Sequence, residues 1–457
     1  MWQSLSAPHC LFVLFACLEA AVLIALIPPL AGGNETNNFR RVAAISAGHV
    51  LVEPASVPRG VADLLDLADA QNPERTKLPP PYSTAEFRAL AAVPLRADVR
   101  ATLLPNPIAV LNPVAYVPQV LAYWFGEVLG WTPLTLFYLG RIAGAAAGIA
   151  LTAAAIRRMP CSRYGLAALA LLPTIVFSRS TLDADQVTNG LAFLFAAMFF
   201  AAIVARERMS AGSLAVLAGT AFLMAQCKSA YLVLLLLALA IPAERFASRR
   251  AWFMAMALII LPGTLADVAW IAALKHTYFA GIRYRTYAGI VVPDAQIAHI
   301  LRSPLSFVHV LLRTLFAPSF VSASLLGFLG VFGPPVEMPV ICYILLLTAL
   351  TLVLVGEGRQ DGPKMSSLMR LLALGSFAAG VVLILTLLYV QWDGVGAQVI
   401  RGFQGRYLYP LAAPLLALLP GRRPVTYFGL DTASWTTVLA SISLLGTALV
   451  TWTTYWG

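Results

Sequence analysis

The sequence predicts an all-α polytopic membrane protein, and three observations carry that reading. Hydrophobic residues make up 60% of the 457-residue chain and charged residues only 11%, against about half and about a quarter in soluble globular proteins. Mean hydropathy is +0.80. Apolar runs of the roughly 20 residues that a membrane helix needs recur along the chain, where a membrane β-barrel would show short alternating segments instead. The five cysteines are odd in number. Cys10, Cys17 and Cys342 lie inside apolar runs, Cys227 at the edge of one and Cys161 in a short basic loop, so no disulfide framework is implied. The net charge of +10 fits basic anchors at cytoplasmic loops and lipid phosphates. It makes the bilayer the expected partner and gives no reason to invoke nucleic acid.

The first apolar run, 11–30, has no Lys or Arg before it. A signal peptide carries a basic leader and a shorter apolar core, so this run reads as an uncleaved helix. Glu19 within it is expensive in lipid and is expected to face the bundle as a packing partner. A polar stretch rich in Pro and charge follows over 32–107. Further apolar runs occupy 134–156, 164–178, 188–205, 211–227, 229–242, 251–274, 338–355, 371–390, 407–420 and 434–456.

Basic loops punctuate these runs: "RRMPCSR" (157–163), "RERM" (206–209), "ERFASRR" (244–250), "GRQDGPKMSSLMR" (358–370) and "GRRP" (421–424). If all of them are cytoplasmic, the N-terminus lies inside, about eleven spans follow, and the C-terminus lies outside. Segments 112–130 and 306–333 then lie along or dip into the outer interface, which suits their prolines and flanking Tyr and Trp. The alternative is that both cross and the basic loops alternate sides. The expected organisation is a single transmembrane domain over 1–457, with a first outer loop at 32–133 and a second large one at 275–337.

That threading places several cations in short outer loops: Arg179, Lys228, Arg401 and Arg406. Short loops are where the orientation rule counts most, and an anionic ligand at the outer face accounts for these exceptions. "SRSTLDADQVTNG" (178–190) packs Arg179, Asp183 and Asp185 into one turn between apolar runs. One aspartate there complements the dipole of the next helix; two plus an arginine ask for more. "RGFQGRY" (401–407) offers Arg401 and Arg406, suited to bidentate phosphate contact, with Tyr407 beside them; interfacial anchoring is the alternative. Lys228 interrupts an apolar stretch between Ser213 and Pro242, where snorkelling competes with ligand binding. "KHTYFAGIRYRTY" (275–287) mixes Lys275, His276, Arg283 and Arg285 with aromatics, a composition for sugar stacking and phosphate contact or for an interface anchor. The five histidines show no metal-ligand spacing, and no Gly-rich nucleotide loop occurs. No cofactor is assigned; two carboxylates at 183 and 185 leave a divalent metal open without choosing one.

"NPVAYVPQVLAYWFGEVLGWTPLTLFYLGRIAGAAAGIALTAAAIRRMP" (112–160) resembles the stretch of GT-C membrane glycosyltransferases in which a Pro- and Tyr-rich interfacial helix leads into the second span. That span carries an Arg near its outer end, as Arg141 does here. "LLPTIVFSRSTLDADQVTNGLAFLF" (171–195) and "AFLMAQCKSAYLVLLLLALAIP" (221–242) look like the two helical hairpins that follow. Within that superfamily the chain is most similar to a bacterial group called domain of unknown function 2142. Its members open with "PP…DE…HF" after the first span and close with "QGRY" before a late one; here stand "PPLAGGNETNNFRRVAAISAGHVL" (28–51) and "QGRYLYP" (404–410). The resemblance runs in order from about residue 11 to 420. Asn34-Glu35 occupies the acidic pair and Asn38 the His position, so only Glu35 keeps a carboxylate there.

The resemblance implies a GT-C-like bundle in a bacterial inner membrane that moves a sugar from a polyprenyl-phosphate-linked donor to a lipid- or glycan-linked acceptor at the periplasmic face. Such a transfer needs a carboxylate to accept the acceptor's proton, cations on the departing phosphate and a greasy groove for the lipid. Glu35, Asp183 and Asp185 are the candidate catalytic carboxylates. Arg179, Lys228, Arg401, Arg406 and Tyr407 are the candidate phosphate site, and Lys275, His276, Arg283 and Arg285 a substrate loop. A transporter or flippase for lipid-linked sugars, or an inactive assembly subunit, are the rival readings.

Overall fold

The computed structural model describes residues 7–71, 81–279, 284–286, 288–333, 336–357, 366–419 and 424–457. They form a helical, multi-span membrane protein. Among the described residues six helices are long and apolar enough to cross a bilayer: α1 (Pro8–Leu26), α2 (Pro133–Arg158), α3 (Asp185–Val204), α4 (Arg249–Leu274), α5 (Ser367–Gln391) and α6 (Thr432–Tyr455). Their ends carry the expected signals. Thr132 caps α2 by accepting the Thr135 N–H, Pro133 stands at its first turn, and Arg157 and Arg158 close it where the helix dipole favours cations. Ser366 and Asp431 cap α5 and α6 in the same way.

The remaining apolar runs of the expected eleven or so are short or broken, and proline explains two of them. Run 164–178 divides into helices Arg163–Ala170 and Pro173–Ser180, because Pro173 pushes Leu172 into extended backbone. Run 407–420, with Pro410 and Pro414, becomes a 3-10 turn, a single α turn and a second 3-10 stretch. Run 211–227 is a 17-residue helix and 229–242 a 12-residue 3-10 helix, Ser229–Ala240, separated by Lys228 in extended conformation. Run 338–355 gives the helix Val340–Gly356.

The two segments expected at the interface are also short. Within 112–130 the one α-helix is Val117–Val128, 12 residues or about 18 Å, well under a hydrocarbon layer of about 30 Å. It turns Leu121, Trp124, Phe125 and Val128 outward. Within 306–333 the helices Pro304–Leu315 and Pro318–Leu329 meet at a 59° bend, with Pro318 opening the second. Neither half reaches across alone, while the pair together is long enough.

The chain forms two compact units, passing from the first to the second within α3. In the first unit (1–194, 329–360, 421–457), α1 packs on α2, α6 and the helix Pro173–Ser180, and Val340–Gly356 packs on α6. The loop over 32–133 folds onto α2 as helices Glu35–Ser46, Arg59–Gln71, Thr84–Ala91 and Val117–Val128. An antiparallel pair, β1 (Ala55–Pro58) and β2 (Arg100–Leu103), ties it together with Ala55 opposite Leu103. Small residues let α2 approach its neighbours: a side chain at Gly144 would meet Gln186 Oε1 at 1.7 Å, and one at Gly148 would meet the Gln186 carbonyl at 2.7 Å.

In the second unit (195–328, 361–420), Ala211–Cys227 packs on α4, and the 3-10 helix Ser229–Ala240 packs on α5 and α4. The hairpin β3 (Tyr284–Thr286) and β4 (Gly289–Val291) and the helix Pro293–Arg302 lie beyond α4 in the chain.

Candidate functional site

In the first unit the chain leaves α1 through Pro28 and Pro29 and returns as the helix that Glu35 opens. The last carbonyls of α1 have no partner within the helix. Arg141 of α2 supplies one: its Nη1 donates to Ile24 O at 3.2 Å and Ile27 O at 2.8 Å, and its Nη2 to Pro28 O at 2.9 Å. The same guanidinium grips Glu35, Nε to Oε1 at 2.7 Å and Nη2 to Oε2 at 2.6 Å. Oε1 also accepts the Leu182 N–H at 2.7 Å, and Oε2 the Gly32 N–H at 2.9 Å. Glu35 is 1% exposed and Arg141 0%. Four donors fill the acceptor positions of this carboxylate. That geometry suits a clamp between α1, α2 and the 178–187 turn. It leaves no carboxylate lone pair facing an incoming hydroxyl.

The turn 178–187 is buried throughout rather than open to water. Asp183 Oδ1 accepts the Asp185 N–H at 3.0 Å, which starts α3 with Asp185 in its first turn. Gln186 Nε2 donates to Arg179 O at 2.7 Å, and Gln119 Nε2 donates to Gln186 Oε1 at 2.8 Å. The turn thus meets Glu35 through the Leu182 backbone. The Arg179 side chain goes elsewhere: Nη2 donates to Ala170 O across the break at Pro173, Nη1 stands 3.9 Å from Glu19 Oε2, and the guanidinium lies over the Phe12 ring. Glu19, 0% exposed, faces the bundle with Arg179 as its ion partner. Arg179, Asp185, Gln186 and Asn189 line a small polar cavity with Gly148 and Thr152. Asn38, at the position where the resembled family has His, accepts a hydrogen bond from Tyr116 Oη at 2.6 Å.

In the second unit three of the expected phosphate-site residues come together. Lys228 Nζ lies 5.3 Å from the centre of the Tyr407 ring, and Arg406 Cζ lies 5.6 Å from the same ring. Lys228 is delivered there by the break between two apolar helices. Tyr407 is fixed by its carbonyl, which accepts from Tyr231 Oη at 3.1 Å. Gly405 is required because its backbone lies against the end of the helix Pro318–Leu329; a Cβ there would come 2.2 Å from Phe328 N. Arg401 is exposed, its backbone N–H donating to Asp393 Oδ2 at 3.1 Å. Lys275 and His276 are exposed on the π-turn that ends α4. Arg283 and the side chain of Arg285 lie outside the described residues.

The sequence reading passed over Asp393, which is 0% exposed. Burial pushes its carboxyl up to about 6, against the opposing pull of the Arg401 N–H and the Arg401 charge. An acid two residues past a long span, in the same loop as two arginines, was the available signal. Among the described residues no three His, Cys, Asp or Glu side chains are grouped as metal ligands would be.

Among curated proteins and solved structures nothing matches the chain. The chain does match a family, described as "Predicted membrane protein (DUF2142)", over residues 17–415. Covering most of the chain, that match makes the protein a member of this membrane-protein family.

Proposed function

We propose that the protein is a glycosyltransferase of GT-C type, transferring a sugar from a polyprenyl-phosphate-linked donor to a lipid- or glycan-linked acceptor at the periplasmic face of a bacterial inner membrane. The observation that carries this reading is the pairing of Lys228 and Arg406 at the Tyr407 ring. Two cations and an aromatic face, placed where apolar helices break, suit a phosphate joined to a greasy chain on one side and a sugar on the other. Arg406 matches the arginine of the resembled "QGRY" motif. In the transfer, the cations neutralise the leaving phosphate as its bond to the sugar breaks. A carboxylate takes the acceptor's proton. Glu35, committed to four donors, is not that carboxylate.

The same filled carboxylate supports a second reading, an assembly subunit that binds the lipid donor without turning it over. Reconstituted vesicles holding a synthetic polyprenyl-phosphate sugar separate the two: transfer to an acceptor supports the enzyme, and donor binding without transfer supports the subunit. Absence of both binding and transfer overturns the proposal.

A further inference from the structure

The break that delivers Lys228 is tied to α4 on both sides. Before it, Gln226 Nε2 donates to Gly263 O at 3.0 Å; after it, Ser229 Oγ donates to Asp267 Oδ1 at 2.8 Å. Lys228 is extended between them, at the junction of two helices. Three residues on, Tyr231 Oη donates to Tyr407 O, in the residue whose ring Lys228 and Arg406 approach. Gln226, Ser229 and Tyr231 thus fasten one short stretch to α4 and to the "QGRY" turn, with Lys228 in its middle.

Asp267 is the costly part of this arrangement. It lies within α4, a helix long and apolar enough to span, and is 3% exposed. An acid there is expensive, and an apolar side chain would serve helix packing at less cost. Packing does not call for it: α4 meets the helix Ala211–Cys227 through Gly263, where a Cβ would come 2.9 Å from Ala225 Cβ. What Asp267 supplies, and an apolar residue cannot, is an acceptor for the Ser229 hydroxyl.

We propose that Asp267 is a positioning residue for the phosphate site: through Ser229 it sets the backbone at the break and so holds the Lys228 ammonium at the Tyr407 ring. The proposal rests on the phosphate reading of Lys228 and Arg406 given above. Lysine carries its charge on a flexible four-carbon stem, so a fixed backbone is what narrows the places its head can occupy. A site ordered before its ligand arrives loses less affinity to ordering on binding. Asp267 acts here as a hydrogen-bond acceptor, and its charge has no part in the effect.

The test is the affinity of the full chain in detergent for dihexyl phosphate, a singly charged phosphodiester with short apolar tails. Ser229→Ala and Asp267→Ala should each bind about three- to tenfold more weakly than wild type, the worth of the hydrogen bond they share. Both changes together should bind no more weakly than either alone. Asp267→Asn should bind as wild type does, because its amide oxygen still accepts the hydroxyl. In a Lys228→Ala background, where binding falls to Arg406, Ser229→Ala should cause no further loss; a general loosening of the fold would weaken binding there too. Wild-type affinity in Ser229→Ala overturns the proposal. So does a further loss on adding Ser229→Ala to Lys228→Ala, or an Asp267→Asn protein as weak as Ser229→Ala. None of these comparisons requires Asp267→Ala to fold. Wild type that does not bind the probe removes the phosphate reading and this proposal with it, a failure told apart from the others because no variant is involved.

Discussion

Glu35 and Arg141, 106 residues apart, close a two-pronged ion pair at 2.7 and 2.6 Å with neither side chain more than 1% exposed. The pair spans the exit of α1 and the first half of α2, and the Leu182 N–H brings in the turn before α3. A buried pair of this kind contributes little net stability over an apolar pair, yet losing one partner strands the other charge.

Glu35→Gln should therefore cost about 3–5 kcal/mol of stability, read as a fall in unfolding temperature in detergent. Arg141→Gln should cost a similar amount, and the double variant less than the sum of the two. A Glu35→Gln protein that melts like wild type but transfers no sugar would restore Glu35 as the base.

Arg406→Ala and Lys228→Ala should each weaken binding of a polyprenyl-phosphate sugar, since a hydrogen bond to a charged group is worth about 1.5–3 kcal/mol. Arg406→Lys should recover only part, because an ammonium lacks the planar fork. Equilibrium binding to reconstituted protein measures all three. Wild-type affinity in Arg406→Ala would leave it an interfacial anchor.

Gly405→Ala touches no ligand-binding group, yet it should lower donor affinity as well as stability. Its Cβ would sit 2.2 Å from Phe328 N and 2.4 Å from the Gly327 carbonyl carbon. Backbone cannot yield as a side chain does, so the loop carrying Arg406 must shift. Gly212→Ala, where nothing lies within 4 Å, is the matched control and should bind donor normally.

Single cysteines placed at 98 and 207 in a cysteine-free chain test the threading. Both positions are exposed. An impermeant thiol reagent should reach position 98 from outside and position 207 from the cytoplasm only. A cysteine at 183 should label slowly from either side, because Asp183 is 8% exposed. Labelling of 98 and 207 from one side would require a different number of crossings between them.

Asp393 also predicts how stability varies with pH. Its carboxyl is raised to about 6 by burial, above its unfolded value of about 3.9. Between those values the folded chain holds a proton that the unfolded chain has released, so stability falls as pH rises through the interval and is level above it. Asp393→Asn should remove that slope and gain about 3 kcal/mol over wild type on the alkaline side. Chemical denaturation across the interval reads both, and equal slopes for the two proteins would contradict it.

Composition alone determined that this chain crosses a membrane as helices, because hydrocarbon leaves a backbone no other partner than itself. Local sequence also fixed where helices start and fail: Thr132-Pro133 opens α2, and Pro173 and Pro410 break their runs, effects that act within a turn or two of the chain. The sequence likewise marked Lys228, Arg406 and Tyr407 as candidates for one ligand, and the fold gathers them at one ring. Partners for buried charge were not legible in the same way. Glu35 in a Gly-Gly-Asn loop reads alike whether it meets water or an arginine 106 residues away, since nothing local to it encodes the register of α1 on α2. Arg179 and Asp183 resemble a wet turn until packing buries them. Asp393 looks like an ordinary loop aspartate until Thr286, Gln296 and Thr314 fasten the chain around it. Desolvation is a property of everything that surrounds a group, and only the tertiary structure supplies those surroundings.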